Sequence, residues 1–439
     1  MRSLLPLAAG LLLFGSLIMC TSVGSGPGGD AGAPLAEGGI DSAAGEGGAS
    51  DAAAPHDGAI GDAVAQADQA AGDGPDATGA CNSPCANGAT CTGGICLGCT
   101  GPTVIPADAS GDPNASGFAS SVAVSGSTLL VGAPGGGGGT GAAYVFTQSG
   151  SAWTHTATLS PPAGVTYFGI SGAISGSVAM VGAMQGGSQA VFVYEQTGTT
   201  WTPGPVLTPA ADAGGGTGPK LALDGNTAVV AWPLSTVVYV GSGSAWTAQG
   251  TLAPAETPPY LYGSAVQAVA VSGDTAIVGF SGNNPAPSYY SWADVFVRTG
   301  TTWAEQASLA PPTLNMSEEY LGSVGISNGM AVITSKYPQN GYVYFRSGTA
   351  WTSPNDAGGA SFAPPHEPDP AVASPGAVLA GSTLFGLTSA GWQSFELPLV
   401  DAGVLEYGAS VARSGSTAVI GAAGGGVSAG AVLVYSCSP

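Results

Sequence analysis

The chain has 439 residues, enough for more than one domain, and only 8% of them are charged. Its formal net charge is −21, from 27 acidic residues against six Lys and Arg. Because such a chain repels polyanions, its charge excludes nucleic acid and an anionic membrane surface as partners.

The first twenty residues have the features of an export signal. Met1-Arg2 gives a positive start, and the apolar run from Leu4 to Met19 is shorter than the ~20 residues that span a bilayer. We therefore predict a signal segment over 1–20 and an extracytoplasmic location, at the cell surface or secreted. The sequence Leu17-Ile-Met-Cys20 resembles a bacterial lipoprotein signal, which implies an acylated Cys20 and contact with a membrane through that lipid alone. The alternative is ordinary cleavage nearby, and Met19 departs from the small residue that usually precedes the cysteine.

Residues 21–80 have the composition of a spacer. This stretch holds ten acidic residues and no Lys or Arg, among Gly and Ala with almost no large side chain. It cannot bury enough apolar surface to offset the entropy of chain ordering. We predict a disordered, extended linker over 21–80.

Five of the seven cysteines lie together in residues 81–99. In an exported chain, the six cysteines that remain after Cys20 favour disulfides over free thiols. The stretch from Cys85 to Cys91 resembles part of an EGF-like module, which implies a small disulfide knot over 81–99. Cys96 and Cys99 form a CxxC, but no thioredoxin-like pattern or partner histidine supports a redox or zinc function.

From residue 101 onward the sequence repeats. One unit contains the run 118–126 (FASSVAVSG), then 128–133 (TLLVGA), 143–146 (AYVF), Trp153 and 159–161 (LSP). A second unit follows in phase, and the turn glycine recurs seven times. Each unit holds four short runs rich in Val, Ile, Thr and aromatics, separated by Gly, Ser and Pro, which predict strands and turns. Four strands in units of ~45–50 residues predict an all-β, seven-bladed propeller over 101–439.

The sixth unit departs from this pattern. Only 11 positions separate Gly381, interpreted as its turn glycine, from Trp392, and the other units have 21 to 30. We therefore expect a degenerate sixth blade that lacks a strand.

The motif Phe-Gly…Val-Gly-Ala-Pro resembles the FG-GAP repeat, which builds a seven-bladed propeller in integrin α chains. The resemblance is spread over 101–439, although Tyr262, Tyr320 and Tyr407 replace the leading Phe. It implies a binding module. In the related repeats the turn between the first two strands often carries a calcium loop with several Asp. Here Asp224 and Asp274 stand alone, so we interpret them as turn residues and expect no cofactor or calcium.

The seventh unit ends without its fourth strand, and a spare strand lies at the start of the domain. Residues 103–107 (TVIPA) align with 158–162 (TLSPP), so we infer that 98–107 pairs with 431–437 and closes the ring. This register places Cys99 opposite Cys437, within reach of a disulfide. Cys81 would then pair with Cys91, and Cys85 with Cys96. The alternative is a pair between Cys437 and Cys96.

The sequence provides no catalytic set. Apparent nucleotide and nucleophile motifs, at 136–141 and 426–430, run into strands rather than helices. His155 and His366 have no evident partner, and the recurring Trp residues are interpreted as packing between blades. Glu318 and Glu319 are adjacent in a loop and do not form the separated pair of a glycosidase. We therefore expect no enzyme activity.

What remains is binding. The longest turn between second and third strands runs from Ser281 to Trp292 and contains the predicted contact residues Asn283, Asn284, Tyr289, Tyr290 and Trp292. Exposed aromatics with amides suit a protein or polysaccharide surface. Segments 313–319 and 364–370 are expected on the same face. We predict a monomeric, tethered binding or adhesion module. The alternatives are a passive envelope component without a specific ligand and, less favoured, a degenerate or sugar-active propeller enzyme.

Overall fold

A computed structural model describes 85, 90–92, 95–112, 115–210, 218–233, 235–254, 262–283, 289–310, 321–335, 340–353, 361–362, 371–374, 376–388, 391–399, 405–424 and 430–437. All of these residues belong to the compact unit Gly58–Pro439. The predicted signal segment 1–20 with Cys20, the linker 21–80, Cys81, Asn284, 313–319 and 364–370 lie outside the described residues.

Seven antiparallel sheets form the blades of a propeller. Strands are numbered one to four from the axis outward. Blades 1 to 3 comprise Ser121–Ser125, Thr128–Ala133, Ala142–Ser149, Ala152–Leu159; Val165–Ser175, Val178–Gln185, Ser188–Thr197, Thr200–Leu207; and Lys220–Asp224, Thr227–Trp232, Ser235–Ser242, Ala245–Leu252. Blades 4 and 5 comprise Tyr262–Ser272, Thr275–Asn283, Tyr289–Thr299, Thr302–Leu309; and Leu321–Ser327, Met330–Ser335, Asn340–Ser347, Ala350–Thr352 with Ser361–Phe362. Blades 6 and 7 comprise Ala371–Ser374, Ala377–Ala380, Thr383–Thr388, Gly391–Glu396; and Leu405–Ser414, Thr417–Gly424, Ala431–Cys437, Cys99–Pro106.

Three small elements complete the described structure. Thr90–Thr92 and Ile95–Leu97 form a hairpin, Ala107–Ser110 is a 3-10 turn, and Gly136–Gly139 is a single helical turn, α1, inside blade 1. No helix among the described residues is long and apolar enough to cross a membrane.

The ring closes as the sequence predicts. Cys99–Pro106 pairs antiparallel with Ala431–Cys437, and Cys99 faces Cys437 directly, so that the first strand of the domain completes the last blade. A disulfide joins these two cysteines, which excludes the alternative pair of Cys437 with Cys96. Cys96 is instead bonded to Cys85. Cys91 is also disulfide-bonded.

The prediction that the sixth blade lacks a strand is wrong, because this blade has all four strands. The turn between its first and second strands is at Gly376, whose carbonyl oxygen accepts a hydrogen bond from Leu387 N (3.0 Å). In blade 1 the carbonyl oxygen of Ser127 accepts the equivalent bond from Gln148 N (2.8 Å). Gly381 lies in the next turn along, where a two-residue connection replaces a longer loop. The blade is therefore complete but short, with strands of four to six residues.

The core is divided among the seams between blades. Second strands are buried along almost their whole length, because each sheet is covered on both faces. The leading Phe of the repeat fills each early seam: Phe118 packs in one cluster with Ala133, and Phe168 in the next with Ala183. Blade 3 has no Phe at this place, and Trp232 occupies the position of the small alanine.

Tyrosine hydroxyls on third strands bridge to the preceding blade. Tyr194 donates to Ser160 O (3.2 Å), Tyr344 to Ala310 O (2.7 Å) and Tyr435 to Pro398 O (3.1 Å). Each acceptor lies just after the fourth strand of the neighbouring blade. These bonds connect the outer ends of adjacent sheets, which the apolar seams alone would not fix in register.

Candidate functional site

One end of the propeller is uniform. We define the first-turn end as the end at which first and second strands connect. Six blades have a described two-residue turn there, at 126–127, 176–177, 225–226, 273–274, 328–329 and 415–416, and in blade 6 the described turn residue is Gly376. Gly126 and Gly176 have φ angles of 55° and 56°, a left-handed conformation that glycine adopts without strain.

Hydrogen bonds between blades connect the turns of this end. The last residue of a first strand accepts a bond from the turn N–H of the next blade. The measured pairs are Gly126 N to Ser414 Oγ (3.0 Å), Gly176 N to Ser125 Oγ (3.0 Å), Gly225 N to Ser175 Oγ (2.9 Å) and Gly273 N to Asp224 Oδ2 (2.7 Å). Asp224 thus performs the role that Ser has elsewhere. Asp274, the second residue of the first turn in blade 4, forms a salt bridge with Arg298 (2.5 Å).

The opposite end varies from blade to blade. We define the second-turn end as the end at which second and third strands connect. Its turns run from two residues, 186–187 in blade 2, to eight, 134–141 in blade 1, where α1 lies. The fourth strand of each blade ends there, and the first strand of the next blade begins there. Because the first-turn end is occupied by structural hydrogen bonds, variation in shape and chemistry is concentrated at the second-turn end.

The predicted contact loop of blade 4 is shorter than the sequence suggested. Its second and third strands extend to Asn283 and back from Tyr289, so Asn283, Tyr289 and Tyr290 are strand residues at the second-turn end. The prediction that Trp292 is an exposed contact residue is wrong. It is 3% exposed and stacks on Phe280, with ring centroids 5.1 Å apart.

A buried carboxylate lies beside Trp292. Asp294 is 1% exposed and accepts a hydrogen bond from Trp292 Nε1 at 3.2 Å. Burial raises the pKa of Asp294 to about 6; a hydrogen bond from Ser308 lowers it, the charge of Glu305 raises it, and the Trp292 bond lowers it. Burial thus makes ionisation of this carboxyl less favourable than in water.

One exposed aromatic at the second-turn end was missed in the sequence. Tyr167, at the bulge that opens the first strand of blade 2, is 54% exposed and has φ of 54°. The corresponding residue of blade 1, also just before the buried Phe, is Gly117 with φ of 74°. The signal was a tyrosine at the position that Gly117 has in blade 1.

The first strands surround an axial cavity of about 420 Å³. Most of its lining residues are Val, Ala, Ile or Leu, and within the described ranges its lining holds one carboxylate, Asp224, and one guanidinium, Arg413. Burial lowers the pKa of Arg413. A two-carboxylate hydrolase mechanism needs a separated pair of acids, which this lining does not provide. Glu318, Glu319 and His366 lie outside the described residues.

His155 is in the middle of the fourth strand of blade 1, Ala152–Leu159. Its Nε2 lies 2.9 Å from Ala157 O and 3.0 Å from Thr158 Oγ1, both on the same strand. Among the residues that the structure describes, no group of three or more His, Cys, Asp or Glu is placed to hold a metal.

The recurring tryptophans pack between blades, as predicted, and some are linked by a second repeating contact. Trp303 Nε1 donates to Gln249 Oε1 of the preceding blade (2.8 Å), and Trp351 Nε1 to Gln306 Oε1 (3.0 Å). Each Gln stands three positions after the Trp of its own blade. In blade 2 that position is Gly204, and in the described structure Trp246 Nε1 is buried with no hydrogen-bond partner.

Comparison with known proteins gives a family match and weak fold likenesses. No curated protein matches the chain. Among solved structures, the α-L-arabinofuranosidase of Fusarium graminearum with arabinobiose is 11% identical, covering 76% of this chain and 97% of its own, at a TM-score of 0.41. The α-L-arabinanase of Penicillium chrysogenum with arabinobiose is 15% identical, covering 58% and 89%, at 0.37. A protein from Lactobacillus plantarum is 15% identical, covering 53% and 82%, at 0.33.

At these identities and TM-scores, the solved structures say nothing about the activity of this chain. The family match is more direct, because residues 106–146 match the model of the FG-GAP repeat. That range covers the first three strands of blade 1, with their Phe, turn glycine and Gly-Ala-Pro segment. The chain therefore carries an FG-GAP repeat, and its seven-bladed ring fits an FG-GAP repeat propeller.

Proposed function

We propose that this protein is an exported, non-catalytic binding module, which presents the second-turn end of a rigid propeller to a protein or polysaccharide surface. The observation that carries the proposal is the contrast between the two ends. Six described two-residue turns, and the hydrogen bonds that join turns at four boundaries between blades, make the first-turn end uniform, whereas the second-turn end varies in length and composition. Surface variation on a rigid scaffold is typical of a binding face.

Export agrees with the disulfides. Cys99–Cys437 and Cys85–Cys96 require an oxidising compartment, as found outside the bacterial cytoplasm. The signal segment and the possibility of a lipid on Cys20 stay predictions from the sequence. The linker that the sequence predicts over 21–80 would allow a closed ring to make contact at a distance from the envelope.

The absence of catalysis is part of the proposal. The axial lining offers one carboxylate, and Asp294 is sealed in a seam with a pKa of about 6. Acid–base catalysis needs groups that reach a substrate in a shared cleft. Neither group meets this requirement within the described residues.

The test compares the two ends directly. The full chain, purified from an exporting host, is applied to an array of neutral and charged glycans together with collagen, fibronectin and laminin. One variant shortens 135–140 to Asn-Gly, and a matched control replaces Gly126-Ser127 by Asn-Gly at the first-turn end. We expect binding to be lost by the first variant and kept by the control. Equal loss in both, or no binding by the wild type, would favour the passive envelope component.

A further inference from the structure

We infer that Tyr167 is the anchor of a contact site for a neutral glycan, at the boundary of blades 1 and 2. This inference rests on the proposed binding function and names its ligand class. The fold does not require a tyrosine at position 167. Tyr167 is 54% exposed and holds a left-handed backbone conformation that disfavours large side chains.

The chain provides its own reference for this position. Gly117 precedes Phe118 in blade 1, as Tyr167 precedes Phe168 in blade 2. Both residues have positive φ, and both phenylalanines are fully buried. Because glycine satisfies this turn without strain, the tyrosine brings no structural advantage over it. A strained, exposed side chain of this kind indicates a function.

The surroundings of Tyr167 are polar, small and uncharged. Three segments meet beside it: 160–166, the hairpin 185–188, whose strand pairs with 165–166, and 135–141 of blade 1. Phe168 N donates to Thr140 O at 3.0 Å, which fixes the blade 1 segment against this site. None of the three segments contains a charged residue.

Glycines leave space around the aromatic ring. Gly164, Gly186 and Gly187 are exposed, and a Cβ added at any of them would meet nothing within 4 Å. A protein partner usually needs about 800 Å² of close side-chain contact on each side, with the anchor surrounded by other contacts. A single ring among glycines, with Thr166 and Gln185 nearby, instead matches one sugar ring: the aromatic face receives its C–H groups, and hydroxyl, amide and backbone groups bind its edges.

Charge selects among glycans. A protein of net charge −21 repels acidic polysaccharides, and the described segments 135–141, 160–166 and 185–188 beside Tyr167 contain no carboxylate to attract an amino sugar. The ligand class is therefore a neutral polysaccharide, for which shape and hydrogen bonding supply the affinity.

The experiment uses the exported full chain on an array of neutral, acidic and amino glycans, with collagen, fibronectin and laminin included. Three variants are compared: Tyr167→Gly, Tyr167→Trp and the control Leu399→Ala, which shortens another exposed apolar side chain (39% exposed). We expect wild-type binding to neutral glycans, a loss of at least tenfold with Tyr167→Gly, retention with Tyr167→Trp, and no change with Leu399→Ala. Thermal unfolding of Tyr167→Gly should begin no lower than that of the wild type.

Each other result has a definite meaning. Equal glycan binding by Tyr167→Gly, a clear drop in its thermal stability, or binding restricted to charged glycans would overturn the inference. Wild-type binding to a matrix protein that Tyr167→Gly leaves unchanged would also overturn it, while the proposed binding function would stand. No binding to any probe would remove both.

Discussion

Replacing Gly204 by Gln should complete the ladder of Trp–Gln bonds between outer strands. Gln249 and Gln306 accept the indole N–H of the next blade, and Gly204 occupies the same place opposite Trp246, whose Nε1 is buried and unpartnered in the described structure. A Cβ at Gly204 fits: its nearest atoms would be Val193 O at 3.4 Å and Gly243 O at 3.5 Å. Gly243 begins the turn that leads to Trp246, so the added side chain starts on the correct side.

The expected change in the free energy of unfolding is obtained by comparing Gly204→Gln with Gly204→Ala. Gly204→Ala measures the backbone contribution alone, about 0.4–1 kcal/mol from a less flexible unfolded chain. A hydrogen bond to a buried donor contributes about 1 kcal/mol net, after the entropy of ordering the Gln side chain. We therefore expect Gly204→Gln to exceed Gly204→Ala by about 1 kcal/mol in the free energy of unfolding. The converse change, Gln249→Ala, should cost about 1–2 kcal/mol, because it leaves Trp303 Nε1 unpaired.

Guanidinium unfolding followed by tryptophan fluorescence gives these differences, and the exchange rate of the Trp246 indole proton reports the bond directly. The reasoning is refuted if Gly204→Gln is no more stable than Gly204→Ala while Gln249→Ala loses stability as expected. That result would mean that the repeat places side chains differently in blade 2.

Three further changes test the seams and the closure. Asp294 has a folded pKa of about 6 against 3.8 unfolded, so its contribution is fully present below pH 3.8 and lost as pH rises through 6. Between pH 4 and 7 the wild type should lose about 2 kcal/mol more than Asp294→Asn in denaturant titrations, and parallel curves would contradict this. Removing the disulfide with Cys99→Ser and Cys437→Ser should cost on the order of 4 kcal/mol, since it closes a separation of 338 residues, and yet leave the ring folded by circular dichroism. Gly132→Ala should lose 2 kcal/mol or more in thermal unfolding, because its Cβ would collide with Gly169 O; an unchanged midpoint would mean that the seam can widen.

Repetition explains why so much of the fold was predictable. Seven units in phase fix which residues face each other, so the alignment of 103–107 with 158–162 was enough to place the closing strand and the Cys99–Cys437 bond. The same argument failed in blade 6. Gly381-Ser382 has the same sequence as the first turn of blade 1, Gly126-Ser127. The first turn of blade 6 is instead at Gly376, after a proline and a first strand of only four residues. Local sequence could not decide between two adjacent hairpins of similar composition.

The contact residues were less predictable, for physical reasons. Trp292 was expected at the surface because the apparent turn was long, but strand pairing continues past it and buries the ring on Phe280. Tyr167 was overlooked because an aromatic before Phe168 looks like part of a strand. Only its backbone conformation, compared with Gly117, shows that the side chain is displaced from the sheet.

The position of the Cys99–Cys437 bond decides how the ring bears a load. A pull on the chain ahead of residue 99 reaches this bond before any hydrogen bond of the closing strand. The tension therefore passes into Cys437, and the strand Cys99–Pro106 cannot be peeled off one residue at a time. Force must instead separate the strand Ala431–Cys437, to which Cys99 is bonded, from its partner Thr417–Gly424. The propeller is thus built to stay closed under traction from its amino-terminal side, and to open under the same traction once the disulfide is reduced.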